Sequence, residues 1–307
     1  MPTNPGYIAA EARIFGGYEL SPAVHMLSLA RPRLRLRVVE VGADEPVVFL
    51  HGYGHCVAHW APLVSQLAGA RCLMLDAPGH GATDAVNFNN VDLRAWYKEM
   101  LIGCLDALGL EQARLVGHSQ GAMQALWLAH DAPDRVRSVV AIGFPAVAFG
   151  ATPDGLRFLA RPGLGRLIFW LPAPPSAYRN ILAGTMGPAA VRAYPDLVRA
   201  TYQATHRAGY AMTVSSYLRE MFKGADAKPR RYALSDDELR RIAQPAFVLW
   251  GDHDTYQPIA EAKARAALMP HSRFEIVSGG HEPWLDDLDK CASLISAFHS
   301  SYASHAG

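Results

Sequence analysis

Short apolar runs alternate with stretches of helical periodicity along most of this chain. One run, at residues 33–38, alternates polar and apolar residues, which predicts a half-exposed strand near a sheet edge. The run at residues 46–50 is continuously apolar, which predicts a strand that is buried on both faces. Further buried strands are predicted at residues 71–75, 113–116 and 246–250, and two more strands at residues 136–142 and 273–277.

Helical patterns fill most of the intervals between these strands. Apolar residues recur at helical spacing from Leu93 to Leu108, and Gly109 suits the C-terminal cap of that helix. Because strands alternate with helices, we predict an α/β fold with a mostly parallel sheet and helices on both faces. Further helices are predicted at about residues 60–67, 122–129, 258–269 and 283–300.

The alternation stops after the strand at residues 136–142 and resumes at residue 246. In the interval, prolines and glycines separate helical patterns that are rich in aromatic residues, and no strand pattern occurs. We therefore predict a core of residues 1–143 and 242–307, with a helical cap of residues 144–241 inserted into it. The cap is expected over the carboxyl ends of the strands, where ligands of such sheets bind.

The composition fits one large domain, or a core domain with an insertion. The chain has 307 residues, of which 50% are hydrophobic and 19% charged, and its formal net charge is +1. This balance gives no attraction to nucleic acid or to an anionic membrane. The apolar stretch at residues 167–171 is far shorter than the roughly 20 residues that span a bilayer.

The N-terminal residues lack the basic and apolar regions of a signal peptide. The cysteines are scattered along the chain and have no metal-ligand spacing, which predicts reduced thiols. Both observations predict a cytoplasmic protein. The four cysteines are Cys56, Cys72, Cys104 and Cys291.

The sequence Gly117-His118-Ser119-Gln120-Gly121 stands between a predicted strand and a predicted helix. A serine in such a sharp turn is a nucleophile elbow, and glycines on both sides leave the room that the turn needs. The helix N-terminus offers free N–H groups and a positive dipole to a developing oxyanion. Ser119 is therefore the candidate nucleophile, although the pentapeptide alone also fits an ordinary turn.

A serine nucleophile needs a base that takes its proton and an acid that orients the base. The chain offers candidates in the order that an elbow fold requires, each in a loop after a predicted strand. Asp252 and Asp254 compete for the role of the acid. His281 is the candidate base, since two glycines before it let its loop bend back over the elbow.

Two backbone N–H groups are candidates for the oxyanion hole. Tyr53 follows a buried strand, and Gln120 follows the candidate nucleophile, so their amides are expected to point at the same spot. Their side chains need no catalytic role, although either side chain could line the pocket.

Three histidines recur every four residues, at His51, His55 and His59. On a helix they would form a metal-binding face. Gly52 and Gly54 argue against a helix through this segment. We therefore predict that the protein needs no metal and no cofactor.

Taken together, these motifs resemble those of the α/β-hydrolase superfamily over nearly the whole chain, from about residue 24 to residue 298. The resemblance implies an eight-stranded, mostly parallel sheet with an inserted helical cap. It also favours Asp254 as the acid, because the acid of relatives usually lies three residues after the glycine and four before a proline. The matching segments are residues 51–54, 76–81, 117–121, 251–254 with Pro258, and 280–281.

The family contains several kinds of hydrolase, so the resemblance leaves the reaction open. Serine at the nucleophile position is unlike epoxide hydrolases and haloalkane dehalogenases, which carry aspartate there. Our first hypothesis is a hydrolase of small, apolar or aromatic carboxylic esters that forms an acyl-enzyme on Ser119. The alternatives are a carbon–carbon bond or lactone hydrolase on the same triad, and a small-molecule receptor that carries the triad. Gln120 stands where carbon–carbon bond hydrolases commonly carry methionine, which disfavours the carbon–carbon reaction. The oligomeric state stays open.

Overall fold

A computed structural model describes residues 4–67, 69–143, 160–161, 163, 167–168, 174–223, 232–256 and 258–302. Eight strands form one sheet in this part of the chain. Their bounds are β1 Ala23–Leu29, β2 Leu34–Val41, β3 Pro46–Leu50, β4 Arg71–Leu75, β5 Ala113–His118, β6 Val136–Ile142, β7 Ala246–Gly251 and β8 Ser272–Val277.

The sheet has the strand order β1-β2-β4-β3-β5-β6-β7-β8. β1 pairs antiparallel with β2, and β2 pairs antiparallel with β4. From β4 through β8 every neighbouring pair is parallel. The predicted eight-stranded, mostly parallel sheet is therefore confirmed, and the carboxyl ends of its central strands share one edge.

Helices connect most of these strands. The predicted helix after β7 is shorter than its pattern, and the last predicted helix divides into a short 3-10 turn, Pro283–Leu285, and a longer α-helix. The α-helices are α1 Pro5–Gly17, α2 Ala61–Ser65, α3 Leu93–Ala107, α4 Gln120–Asp131, α5 Pro175–Met186, α6 Pro188–Ala193, α7 Pro195–Thr205, α8 Tyr210–Met221, α9 Asp236–Arg241, α10 Ile259–Ala266 and α11 Leu288–Ser301.

Two hydrophobic clusters lie on opposite faces of the sheet. Along β3, Val48 and Leu50 belong to one cluster, whereas Val47 and Phe49 belong to the other. This alternation follows from the pleat of a strand, which points successive side chains to opposite faces. Burial of both faces explains the continuous apolar sequences of β3 and β7.

The N-terminal region differs from the sequence analysis, which gave it no defined element. It forms α1, whose first turn is capped by the Asn4 side chain, and then the edge strand β1. Most of β1 is exposed, so its sequence lacks a burial signal. α1 contains several glycines, which lower its intrinsic helix propensity. Its stability therefore comes from tertiary contacts, such as those of the fully buried Tyr7 and Phe15.

Helices α5–α9 lie between β6 and β7, in the region of the predicted helical insertion. Within the described residues this insertion contains no strand, as the sequence predicts. Residues 144–159 lie outside the description, so the predicted cap boundary at residue 144 stays a prediction. None of the helices described here is both long enough and apolar enough to cross a membrane. All four cysteines are buried and free, which confirms the predicted thiols.

Candidate active site

Ser119 stands alone between the end of β5 and the start of α4. Its backbone is left-handed, with φ 53° and ψ −114°, a conformation that L-residues rarely adopt. The Ser119 N–H group donates to the Ile142 carbonyl of the neighbouring strand, at 2.9 Å. This is the geometry of the predicted nucleophile elbow.

Glycines make this turn possible, as the sequence predicts. A methyl group on Gly121 would overlap the carbonyl oxygen of Leu50 in β3. A methyl group on Gly117 would overlap the Gly121 carbonyl. The start of α4 therefore packs directly on the backbone of the central strands.

The structure brings His281 and Asp254 together and leaves Asp252 apart from both. His281 Nδ1 lies 2.7 Å from Asp254 Oδ2, and the Asp254 side chain is fully buried. The other carboxylate oxygen of Asp254 accepts from the Tyr256 N–H group at 2.9 Å. Asp252 is 42% exposed, and its carboxylate accepts from Gly279 N–H instead. Asp254 is therefore the carboxylate that can orient the imidazole of His281.

His118 and Tyr256 also contact His281 and fix its loop. His118, the residue before the candidate nucleophile, donates its Nε2–H to the His281 carbonyl at 2.9 Å. Burial holds the pKa of His118 well below its ordinary value, so His118 is neutral. The Tyr256 ring lies 4.2 Å from the His281 ring, centroid to centroid. The loop thus has fixed contacts on two sides.

The loop after β3 lies directly beside the elbow. A Cβ atom on Gly52 would approach the Cβ atom of Ser119 to 3.2 Å, so only glycine lets the two loops come this close. Tyr53 follows in this loop. Gln120 begins α4, where a backbone N–H group has no acceptor within its own helix. The two predicted oxyanion donors therefore belong to segments that flank Ser119.

Two neutral histidines join the loop after β3 to the loop after β4. His51 donates from Nδ1 to the Gly52 carbonyl and accepts at Nε2 from Ala77 N–H. His80 donates from Nδ1 to the Pro78 carbonyl and accepts from Gly54 N–H. Burial lowers the pKa of both histidines, for His80 to about 3. Each neutral ring therefore has one donor nitrogen and one acceptor nitrogen, and both nitrogens are hydrogen-bonded.

The side chains of the two predicted oxyanion residues meet aromatic neighbours. Tyr53 stacks on Tyr217 of α8 with ring centroids 5.9 Å apart. The Gln120 amide donates to the Tyr97 hydroxyl at 3.1 Å. An aromatic residue of the insertion thus contacts the loop after β3, whereas Gln120 contacts an aromatic residue of α3.

A cavity of about 450 Å³ lies between the insertion and the loops after β7 and β8. His281 forms part of its wall, so the cavity reaches the candidate base. Small residues of α5 and α6 form the opposite side. Its polar lining includes Thr185, His253, Thr255, His281 and Asp286.

The histidine series at His51, His55 and His59 does not form one metal-binding face. His51 is engaged in the loop contacts given above, while His55 and His59 meet Glu282, which sequence reasoning missed. The His55 and His59 rings stack at 4.4 Å with only 9° between their planes. Since a metal ion lies in the plane of each imidazole that binds it, one ion cannot lie in both planes here. This arrangement suits hydrogen bonding better than coordination.

Comparison with known proteins agrees with this architecture. Residues 45–163 match the family model of the alpha/beta hydrolase fold. A 2-hydroxy-6-oxononadienedioate/2-hydroxy-6-oxononatrienedioate hydrolase of Paraburkholderia phymatum is 28% identical over 252 residues, which cover 79% of this chain and 83% of the relative.

Solved structures agree with the fold along nearly the whole chain. A carboxylesterase of Bacillus subtilis superposes with a TM-score of 0.76 at 21% identity, covering 97% of this chain and 98% of the esterase. A 2-hydroxy-6-oxo-6-phenylhexa-2,4-dienoate hydrolase of Rhodococcus sp. gives a TM-score of 0.76 at 19% identity, covering 91% and 100%. These superpositions show that the chain has the α/β-hydrolase fold.

Proposed function

We propose that Ser119, His281 and Asp254 form the catalytic triad of a hydrolase that acts on a small carbonyl compound. The observation that carries this proposal is the buried 2.7 Å contact between His281 Nδ1 and Asp254 Oδ2, in loops beside the elbow. Because the carboxylate holds the Nδ1 proton, Nε2 is free to accept the proton of the serine hydroxyl. The Tyr53 and Gln120 amides would bind the oxyanion.

We infer that the bond cleaved is a carbon–carbon bond beside a ketone, in a substrate of the 2-hydroxy-6-oxo-dienoate class. Relatives from several bacteria are named for hydrolases of such compounds, at 28–29% identity. These alignments span 82–91% of the relatives and 77–86% of this chain. This sequence similarity favours the carbon–carbon reaction over the ester hydrolysis that is our first hypothesis from sequence.

The triad can perform this reaction without a cofactor. Ser119 Oγ bonds to the ketone carbon of the keto tautomer while His281 takes the hydroxyl proton. The tetrahedral oxyanion then collapses, and the neighbouring carbon leaves with its electron pair as a dienolate. The dienolate oxygen takes the proton from His281. Water, deprotonated by His281, attacks the acyl-enzyme and releases the carboxylic acid and free Ser119.

A second candidate is hydrolysis of a carboxylic ester by the same triad. The observation that favours it is Gln120, which stands where carbon–carbon bond hydrolases commonly carry methionine and which binds Tyr97. An alkoxide would then leave in place of the dienolate, taking its proton from His281. The aromatic residues around the elbow suit an apolar or aromatic group on such an ester.

We also propose that the helical insertion acts as a cap that selects the substrate. Its helices α5 and α6 form one side of the cavity beside His281. Small residues at this wall, such as Ala183 and Gly184, leave room for one part of a bound molecule. Comparing the activities on different substrates would show which chemical group this wall accommodates.

The two reactions are separated by substrates that differ in the bond to be broken. We would measure kcat/KM for 2-hydroxy-6-oxohepta-2,4-dienoate, from the loss of dienolate absorbance, and for p-nitrophenyl butyrate. The proposal expects the higher value for the dienoate and loss of both activities in Ser119→Ala. A higher value for the butyrate would establish the ester reaction instead. Binding of either compound without any turnover would show a receptor.

A further inference from the structure

Glu282, the residue directly after the proposed base, is fully buried between two histidines. Its Oε2 atom lies 2.7 Å from His59 Nδ1, and its Oε1 atom lies 3.1 Å from His55 Nε2. A carboxylate in such a place needs partners, because burial of an unpaired charge is strongly unfavourable. The two histidines belong to the segment that follows the loop of Tyr53.

The hydrogen-bond partners determine where the protons of this cluster lie. The Thr201 hydroxyl donates to the Leu197 carbonyl at 2.7 Å, so its oxygen accepts from His59 Nε2–H at 2.5 Å. The other nitrogen of His59 faces Glu282. A hydrogen bond between these two atoms requires one proton between them, whichever partner carries it. With the proton on His59 the bond is charge-assisted, and such bonds are short and about twice as strong as neutral ones.

This chain of bonds joins three parts of the site. Glu282 belongs to the His281 loop, His59 to the 3-10 turn Val57–Trp60 after the loop of Tyr53, and Thr201 to α7 of the insertion. A second bond supports the same junction, because the Trp284 indole donates to the His59 carbonyl at 2.9 Å. The backbone of the proposed base is thus tied to the segment that supplies an oxyanion donor.

We propose that Glu282 is a positioning residue that sets the place of His281 through its bond to His59. The inference rests on the proposed role of His281 as the base. Glu282 acts through the loop and touches no reacting atom. Because Thr201 of α7 binds His59, the insertion also contributes to this hydrogen-bond network. The position of α7 therefore also affects the position of His281.

The test is the rate at which Ser119 reacts with a fluorophosphonate, a probe that needs no knowledge of the substrate. Glu282→Ala should lower this rate by about 10- to 100-fold, since small displacements of a catalytic group have effects of this size. Glu282→Gln should restore most of the rate. Its amide N–H can donate to neutral His59 Nδ1 from the position of the wild-type Oε2 atom.

A matched control is Glu220→Ala in α8. Glu220 is also buried and accepts from Asn90 N–H at 2.8 Å and from Lys223 Nζ at 3.1 Å. Its removal should cost stability without slowing phosphonylation of the folded protein. The proposal is overturned if folded Glu282→Ala reacts at the wild-type rate, or if the control slows as much.

A second readout does not depend on the reactivity of Ser119. The proton between His281 Nδ1 and Asp254 should give a low-field NMR signal, assigned by its absence in His281→Gln. We expect the signal in the wild type and in Glu282→Gln, and its loss in Glu282→Ala. Retention in Glu282→Ala would refute positioning by Glu282. If the wild-type signal is present but Ser119 never reacts, the proposed function fails while this measurement still decides the role of Glu282.

Discussion

Asp252 and Asp254 are two residues apart in one loop, yet their surroundings are opposite. Asp254 is buried against His281, whereas Asp252 is exposed and bound to Gly279 N–H and His253. Their order along the chain cannot separate them, because both follow the same strand. The difference arises from the turn after Gly251, which directs one carboxylate inward and the other to solvent.

At this residue scale, we predict that Asp254→Asn lowers kcat/KM by on the order of 10³- to 10⁴-fold. Asparagine keeps the size of the side chain but no longer holds His281 in the tautomer that leaves Nε2 unprotonated. Asp252→Asn is the matched control and should retain near wild-type activity, because its amide oxygen can still accept from Gly279 N–H. Steady-state kinetics on the better substrate would check both. Loss of activity in Asp252→Asn alone would reverse the assignment.

At the scale of elements, the elbow depends on how closely α4 approaches the sheet. Gly121 lies in the first turn of α4, against the Leu50 carbonyl of β3. A side chain there would push the helix away from the strands. The same displacement would move Ser119, since α4 begins directly after it.

We therefore predict that Gly121→Ala lowers the free energy of unfolding by about 3 kcal/mol, the upper end of overpacking effects. Gly16→Ala in α1 is the matched control, because no atom lies within 4 Å of the added methyl group. It should raise stability by about 0.5 kcal/mol, through the lower entropy of the unfolded chain. Urea unfolding of both variants would check this. Equal effects of the two substitutions would contradict the close approach.

Much of the fold could be predicted from sequence because the central strands are buried on both faces. Their continuous apolar runs and the glycines of the elbow are local signals. The edge strand β1 and helix α1 could not be predicted, since one is largely exposed and the other is stabilised by distant contacts. Glu282 was missed for a similar reason. Its partner His59 is 223 residues away in sequence, and only the closed sheet brings the two together.

At the scale of the whole molecule, several histidines are buried in neutral form around the strand ends. Burial lowers the pKa of His80 to about 3, and lowers that of His55 and His118 well below the ordinary value. In the unfolded chain each would take up a proton near its ordinary pKa. The folded protein is therefore expected to lose stability as the pH falls below about 6.5, the ordinary pKa of histidine.

His80 allows this expectation to be tested with one substitution. Glutamine at this position can donate to the Pro78 carbonyl and accept from Gly54 N–H, but it takes up no proton on unfolding. Between about pH 7.5 and 5.5, the wild type should lose about 1.4 kcal/mol more than His80→Gln. Above about pH 7.5 both proteins should show the same pH dependence, since His80 is neutral in both states. Urea unfolding at several pH values would measure this, and parallel curves throughout would contradict the neutral buried state of His80.

The central claim is that hydrolysis proceeds through a covalent intermediate on Ser119. The most direct measurement is acid quenching during turnover of the better substrate, followed by mass spectrometry of the peptide that contains Ser119. We expect an adduct with the mass of the acyl fragment on Ser119, and neither adduct nor turnover in Ser119→Ala. Undiminished turnover in Ser119→Ala, or an adduct on another residue, would contradict it.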